Sequence, residues 1–174
     1  TGANLEYADL SGASLSNADL RNASLAFADL TNTNLAEADL SGVYLFVTDF
    51  SGAYLSEADL SGAELYDTDL TGANLEYADL SGASLGNADL SGAYLHQVNL
   101  TNASLEYSDL SSAFLHQADL RGASFEYADL KFADFEGAIV EDIDETDVYW
   151  ETAFWYGTTW IDGEEYNQAP PGDE

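Results

Sequence analysis

The chain has 174 residues, enough for one domain with a buried core, and 46% of them are hydrophobic. It carries 33 acidic residues against three basic ones, Arg21, Arg121 and Lys131, for a formal net charge of -30. Because nucleic acids are bound through Lys and Arg that neutralise phosphates, this charge excludes direct nucleic-acid binding. It favours cations and basic protein surfaces as partners. Since the chain has no cysteine, it can form neither disulfides nor thiolate metal sites.

No apolar run approaches the ~20 residues of a membrane span, so we expect no contact with a membrane. The chain begins Thr1-Gly2-Ala3 and contains no methionine. We therefore expect a processed, trimmed or artificially made chain from which any targeting segment has been removed. For its location we expect a soluble protein, with the cytoplasm favoured.

Residues 1–135 form consecutive five-residue repeats without an insertion. Every fifth residue from Leu5 to Phe135 is leucine, except for Phe50, Phe125 and Phe135. The residue two places earlier is alanine, except at Thr33, Val43, Thr48, Thr68, Val98 and Ser108. A period of five does not follow one face of a helix, whereas residues two apart in a strand point to the same side. The pattern therefore predicts short extended segments with Ala and Leu inward, joined at corners by pairs such as Ser-Gly and Thr-Asn.

The tandem A-(D/N)-L-x-x signature, kept in register over 27 repeats, resembles that of the pentapeptide-repeat family. The resemblance covers about 135 of the 174 residues. It implies an all-β fold, a right-handed quadrilateral parallel β-helix with four repeats, or about 20 residues, in each coil. The number four comes from the resemblance, because a period of five alone does not determine the number of sides.

Stacked coils would form a continuous core of leucine rings and alanine rings. Each buried Leu contributes roughly 1.5–3 kcal/mol before the loss of conformational entropy is counted. Backbone hydrogen bonds would run along the axis, with a rise of about 4.8 Å per coil. The residues that represent this predicted core are Leu5, Leu55, Leu75, Phe50, Phe125 and Phe135.

A ten-residue pattern lies over the five-residue one, because every second repeat has Asp before its central Leu or Phe. With four sides to a coil, these residues are expected on two opposite faces. The first ladder comprises Asp9, Asp29, Asp49, Asp69, Asp89, Asp109 and Asp129. The second ladder comprises Asp19, Asp39, Asp59, Asp79 and Asp119, with Asn99 in place of an Asp before the last.

The repeat decays near residue 136, which divides the chain into a β-helix at 1–140, a terminal coil at 141–161 and an acidic tail at 162–174. Trp150, Trp155 and Trp160 keep the five-residue register, and we expect them to cover the open end of the core. Glu145 is charged in an inward position, so a loop or bulge is expected at 141–147. The opposite end, which begins at Leu5, is expected to be frayed, covered by further residues or stacked on a partner.

The sequence predicts no catalytic, cofactor or metal site. His96 and His116 are 20 residues apart and should be neighbours, but no third ligand is evident, so we interpret them as a surface pair produced by duplication. The carboxylates recur uniformly without a nucleophile among them, which does not favour acid–base catalysis. The acidic segment at 141–147 lacks the Gly and terminal Glu of a calcium loop, and diffuse cation screening is expected there.

Outward-facing aromatic residues fall into two clusters. Tyr54, Tyr94 and Phe114 share one face. One edge carries two pairs, Tyr7 with Phe27 and Tyr107 with Tyr127. Such residues either mark a partner surface or pack across neighbouring strands.

Three functions remain open on the sequence. The first is a non-enzymatic acidic scaffold or protein-interaction module without a cofactor. The second is implied by the resemblance: a mimic of DNA that binds a type II topoisomerase (gyrase), with a homodimer through the C-terminal end. The third is an artificial consensus array, because residues 1–20 and 71–90 differ only at Ser16 and Gly86.

Overall fold

The chain forms a four-sided β-helix whose coils are linked by parallel bridges between residues 20 apart. The computed structural model describes residues 2–141, Ala153 and two short strands, β1 (Thr158–Thr159) and β2 (Glu165–Tyr166). The bridges run without a gap from Asn4–Ser24 to Asp119–Ile139, one on each side of every coil. The predicted right-handed quadrilateral β-helix is therefore confirmed, and the coil length that the sequence left open is 20 residues. Strands β1 and β2 pair antiparallel, with Thr158 opposite Tyr166.

The corners are tight turns, and nearly all of them are closed by a hydrogen bond between inward-facing residues. In the turn at residues 5–8, the amide of Ala8 donates to the carbonyl of Leu5 at 3.1 Å, and Tyr7 has a φ of 59°. Positive φ at the second turn position only is the signature of a type II turn. It recurs at every corner from Gly2 to Gly137. Glycine and asparagine adopt this conformation at low cost, which explains the Ser-Gly and Thr-Asn corner pairs.

Hydrogen bonds along the axis hold each coil to the next. On one side, the amide of Leu25 donates to the carbonyl of Tyr44 at 2.8 Å, and the amide of Tyr44 donates to the carbonyl of Ala23 at 3.0 Å. At the neighbouring corner, the amide of Phe27 donates to the carbonyl of Phe46 at 3.0 Å. In each described repeat, the amide of the first turn residue takes no part in this pattern of backbone hydrogen bonds.

The core is a stack of side-chain rings that is buried from the second coil onward. Leu55, Leu75 and Phe50 are completely buried, as are Phe125 and Phe135 to within 1%. The sequence predicts that the Leu or Phe at every fifth position is buried. This prediction is wrong for the first coil, where Leu5, Leu10 and Leu15 are only half-buried. The reason is that these three residues pack against a coil on one side only.

Threonine replaces alanine in the core at three places, and there its hydroxyl group donates a hydrogen bond to the backbone. Thr33, Thr48 and Thr68 are buried, and each hydroxyl donates to the carbonyl of a leucine 23 residues earlier. The distances lie between 2.8 and 3.1 Å. A buried hydroxyl with such a partner avoids the cost of desolvation, so the exceptions to alanine do not interrupt the core.

Several predictions fall outside the described residues and stay predictions. They are the cap formed by Trp150, Trp155 and Trp160, the loop near Glu145, and the homodimer through the C-terminal end. Strand β2 lies within the segment 162–174 that the sequence assigns to an acidic tail. Across the residues that the structure describes, no helix is long and apolar enough to cross a membrane.

Candidate functional site

The two aspartate ladders lie on opposite sides of the β-helix. Parallel bridges connect each Asp of the first ladder to the next, from Asp9–Asp29 to Asp109–Asp129. The second ladder runs from Asp19 through Asp79 and Asn99 to Asp119 in the same way. Its members are offset by ten residues, half a coil, from those of the first. The side chains are exposed or half-buried.

Each ladder aspartate also closes a corner of the β-helix. One carboxylate oxygen of Asp49 accepts a hydrogen bond from the amide of Ser51 at 2.9 Å, and Asp89 accepts one from the amide of Ser91 at the same distance. The donor is the amide of the first turn residue, which takes no part in the backbone hydrogen-bond pattern. The arrangement is an Asx turn. All twelve aspartates of the two ladders accept such a bond. The acids are therefore structural as well as charged.

Asn99 shows that the corner does not require a charge. Its side-chain oxygen accepts from the amide of Thr101 at 3.1 Å, as the aspartates do. Its amide nitrogen also donates to a carboxylate oxygen of Asp79, one coil earlier, at 3.0 Å. An Asn at a ladder position thus keeps the turn and replaces a repulsive contact between carboxylates with a hydrogen bond.

All three basic residues of the chain pair with ladder aspartates. Arg21 donates to both carboxylate oxygens of Asp19, at 2.9 and 2.8 Å, and its Nε lies 3.4 Å from Asp39. Arg121 likewise donates to both carboxylate oxygens of Asp119, and Lys131 Nζ donates to one carboxylate oxygen of Asp129 at 2.9 Å. The hydrogen bond from Arg21 lowers the pKa of Asp19 to about 2. Exposed pairs of this kind add little stability, but they show that the ladders bind cationic side chains.

The outward aromatic residues stack across coils in the pairs that the sequence indicates. The ring centroids are 5.0 Å apart for Tyr7 and Phe27, 5.3 Å for Tyr94 and Phe114, and 4.9 Å for Tyr107 and Tyr127. This packing supports the structural interpretation of at least part of each cluster.

A further aromatic group was not predicted from the sequence. Phe46 lies between Tyr44 and Tyr66, with ring centroids 6.5 Å away on each side. The ring of Tyr66 extends over Gly86, where a Cβ atom would lie only 2.5 Å from the ring. The single difference between the blocks 1–20 and 71–90, Ser16 against Gly86, therefore has a steric reason.

His96 and His116 are neighbours, as expected, with ring centroids 6.3 Å apart. A different group of candidate ligands surrounds His116 and does not include His96. Ligand atoms of His116, Asp134 and Glu136 all lie within 4.8 Å of one another. The sequence did not reveal this group, because two of its members come from the following coil and become neighbours only once the coil length is known.

The repeats identify the protein family of this chain. The family model for pentapeptide repeats matches eight copies, over residues 1–36, 38–76, 48–87, 78–117 and 103–142. The chain belongs to the pentapeptide-repeat family. A comparison with curated protein sequences gave no match.

Solved pentapeptide-repeat structures are similar to this chain. HetL, a protein involved in heterocyst differentiation regulation from the cyanobacterium Nostoc sp. strain PCC 7120, is 34% identical over 95% of this chain and 92% of its own, with a TM-score of 0.31. The protein alr5209 from Nostoc PCC 7120 is 43% identical over 49% and 69% of the two chains, with a TM-score of 0.47. QnrB1, a plasmid-mediated fluoroquinolone resistance protein, is 20% identical over 85% and 80%, with a TM-score of 0.49. The pentapeptide-repeat assignment rests on the match of the family model to these repeats.

Proposed function

We propose that this pentapeptide-repeat protein is a non-enzymatic interaction module whose two aspartate ladders bind basic surfaces of a partner protein. The observation that carries the proposal is the pair of charged faces, which corner hydrogen bonds hold rigid. One face is unbroken from Asp9 to Asp129, and the other runs from Asp19 to Asp119 with an interruption at Asn99. Rigid charge arrays favour fast and selective association with a complementary surface. The contacts of Arg21 with Asp19 and Asp39 represent, within the chain, the contact expected from a partner's arginine.

The charge along the axis resembles that of duplex DNA. Residues 1–141 contain 23 Asp and Glu against three Arg and Lys, a net charge of -20. Seven coils with a rise of about 4.8 Å extend over about 34 Å, so one net negative charge occurs in about 1.7 Å. B-DNA carries one charge per about 1.7 Å of its axis. This match supports the second candidate, in which the partner surface is the DNA-binding surface of a type II topoisomerase such as gyrase.

A supercoiling assay tests the topoisomerase candidate. The native chain is expected to inhibit gyrase-catalysed supercoiling of plasmid DNA in a concentration-dependent way, and less at higher salt, because a charged contact is screened. Polyglutamate with the same total charge is the control, since it has the charge without the rigid spacing. Inhibition by polyglutamate equal to that by the chain, or no inhibition by the chain, would reject this candidate.

A further inference from the structure

One corner of the β-helix carries the only two histidines of the chain between two glutamates. Glu76, His96, His116 and Glu136 occupy the same corner position in four consecutive coils, 20 residues apart. The equivalent residues in the three preceding coils are Ser16, Ala36 and Ser56, which offer no comparable ligand. Side chains that can bind a metal are therefore confined to the later part of this column.

The contacts at the later end of this column already bring three ligands together. His116 Nε2 lies 2.8 Å from Oδ2 of Asp134, which belongs to the next coil. The other oxygen of Asp134 accepts a hydrogen bond from the amide of Glu136 at 3.0 Å, so its carboxylate is fixed by the same Asx turn that closes the ladder corners. The side chain of Glu136 is exposed and able to change rotamer, and its carboxylate completes the group.

We propose that His116, Asp134 and Glu136 bind one divalent transition-metal ion of the zinc class, with water in the remaining position. In a tetrahedral zinc site with ligand distances of about 2.0–2.2 Å, the ligand atoms lie about 3.4 Å apart. The ligand atoms here are within 4.8 Å of one another without an ion, so a rotamer change of Glu136 and a small opening of the His116–Asp134 pair are sufficient. The ion would join residues 101–120 to residues 121–140, two consecutive coils.

The ligand set selects for this class of ion. Imidazole nitrogen is a preferred ligand of Zn²⁺, Cu²⁺ and Ni²⁺, whereas Ca²⁺ and Mg²⁺ are bound by six or more oxygen atoms. One nitrogen with two carboxylates fits a three-ligand zinc site that leaves a position open. The strong negative charge of the chain attracts any cation, so the nitrogen ligand is what separates a specific site from diffuse screening.

Neighbouring rings orient the imidazole of His116. Its ring centroid lies 6.4 Å from that of Phe114, which stacks on Tyr94, and 6.3 Å from that of His96. His96 and Tyr77 in turn form a T-shaped pair, with the ring centroids 5.5 Å apart. Supports that limit ring rotation strengthen a metal site, because less freedom is lost when the ion binds.

Calorimetry on the complete, chelator-treated chain tests the proposal with Zn²⁺ as the probe. In buffer containing a tenfold excess of Ca²⁺ to occupy diffuse positions, we expect one zinc ion to bind per chain. His116→Gln and Glu136→Gln should each raise the dissociation constant at least about tenfold, since even an outer-shell partner of a metal ligand contributes about 10- to 100-fold. The imidazole signals of His116 in NMR spectra should shift with zinc far more than those of His96.

Matched variants control for charge and for the presence of an imidazole. Glu126→Gln removes the same charge at the same turn position in another corner column, and His96→Gln removes the neighbouring histidine. Glu126→Gln is expected to change the dissociation constant less than twofold. His96→Gln removes a neighbouring ring but no ligand, so its effect is expected to be clearly smaller than that of His116→Gln or Glu136→Gln. Equal weakening by Glu126→Gln and Glu136→Gln, or displacement of zinc by Ca²⁺, would show diffuse screening and overturn the site. An effect of His96→Gln without one of Glu136→Gln would overturn the ligand assignment.

Discussion

Replacing Leu75 with alanine is expected to lower the free energy of unfolding by about 2–5 kcal/mol. Leu75 is completely buried, and Leu55 and Leu95 fill the same position one coil earlier and later. The backbone on both sides is held by hydrogen bonds, from the amide of Leu75 to Tyr94 and from the amide of Asn74 to Ala53, at 2.8 and 2.9 Å. Because these bonds prevent the coils from closing over the gap, most of the cavity should remain.

Denaturant unfolding of Leu75→Ala beside Leu5→Ala measures this effect. Leu5 is only half-buried in the first coil, so its truncation should cost distinctly less than that of Leu75. A loss below about 1 kcal/mol for Leu75→Ala, or equal losses for the two variants, would contradict a stacked core.

Raising the NaCl concentration from 0.1 M to 1 M is expected to stabilise the fold substantially. Nine bridges in the two ladders pair one Asp directly with another. If each like-charge pair costs about 0.2–1 kcal/mol, the total at low salt is about 2–9 kcal/mol. The Debye length falls from about 10 Å to about 3 Å over this range, which removes much of that repulsion. The corner hydrogen bonds satisfy one oxygen of each carboxylate but leave its charge in place.

Thermal melting at the two salt concentrations tests this prediction, with an expected rise in Tm of about 4 °C or more. Divalent cations should be more effective than sodium at equal ionic strength.

The matched comparison is a ladder variant, in which Asp29, Asp49, Asp69 and Asp89 are replaced by Asn. Since Asn99 supports the same corner without a charge, this variant should be at least as stable as the native chain at low salt and respond less to NaCl. A native Tm that does not change with salt would show that local hydrogen bonds already compensate the charges.

The inward positions could be predicted from the sequence because a period of five leaves no other regular interpretation for Leu and Ala. The Asx turns were also within reach, since Asp or Asn two residues before a corner Ser or Thr is a local signal. Contacts between coils could not be predicted in this way, because they depend on the coil length. This applies to the group of His116, Asp134 and Glu136, and to the packing of Tyr66 over Gly86. The half-buried state of Leu5 follows from its place in the first coil rather than from its repeat.

Fluorescence anisotropy with a lysine-rich linker histone as a model basic partner tests the ladders as a binding surface most directly. The ladder variant is compared with a control in which Glu37, Glu57, Glu106 and Glu126, all outside the ladders, are replaced by Gln. Both variants lose four negative charges, so a difference between them reports position rather than total charge. The ladder variant is expected to bind at least about tenfold more weakly than the native chain, a loss of about 1.4 kcal/mol, while the control changes less than about threefold. Equal weakening of the two variants, or native affinity in the ladder variant, would contradict the assignment of the ladders as the binding surface.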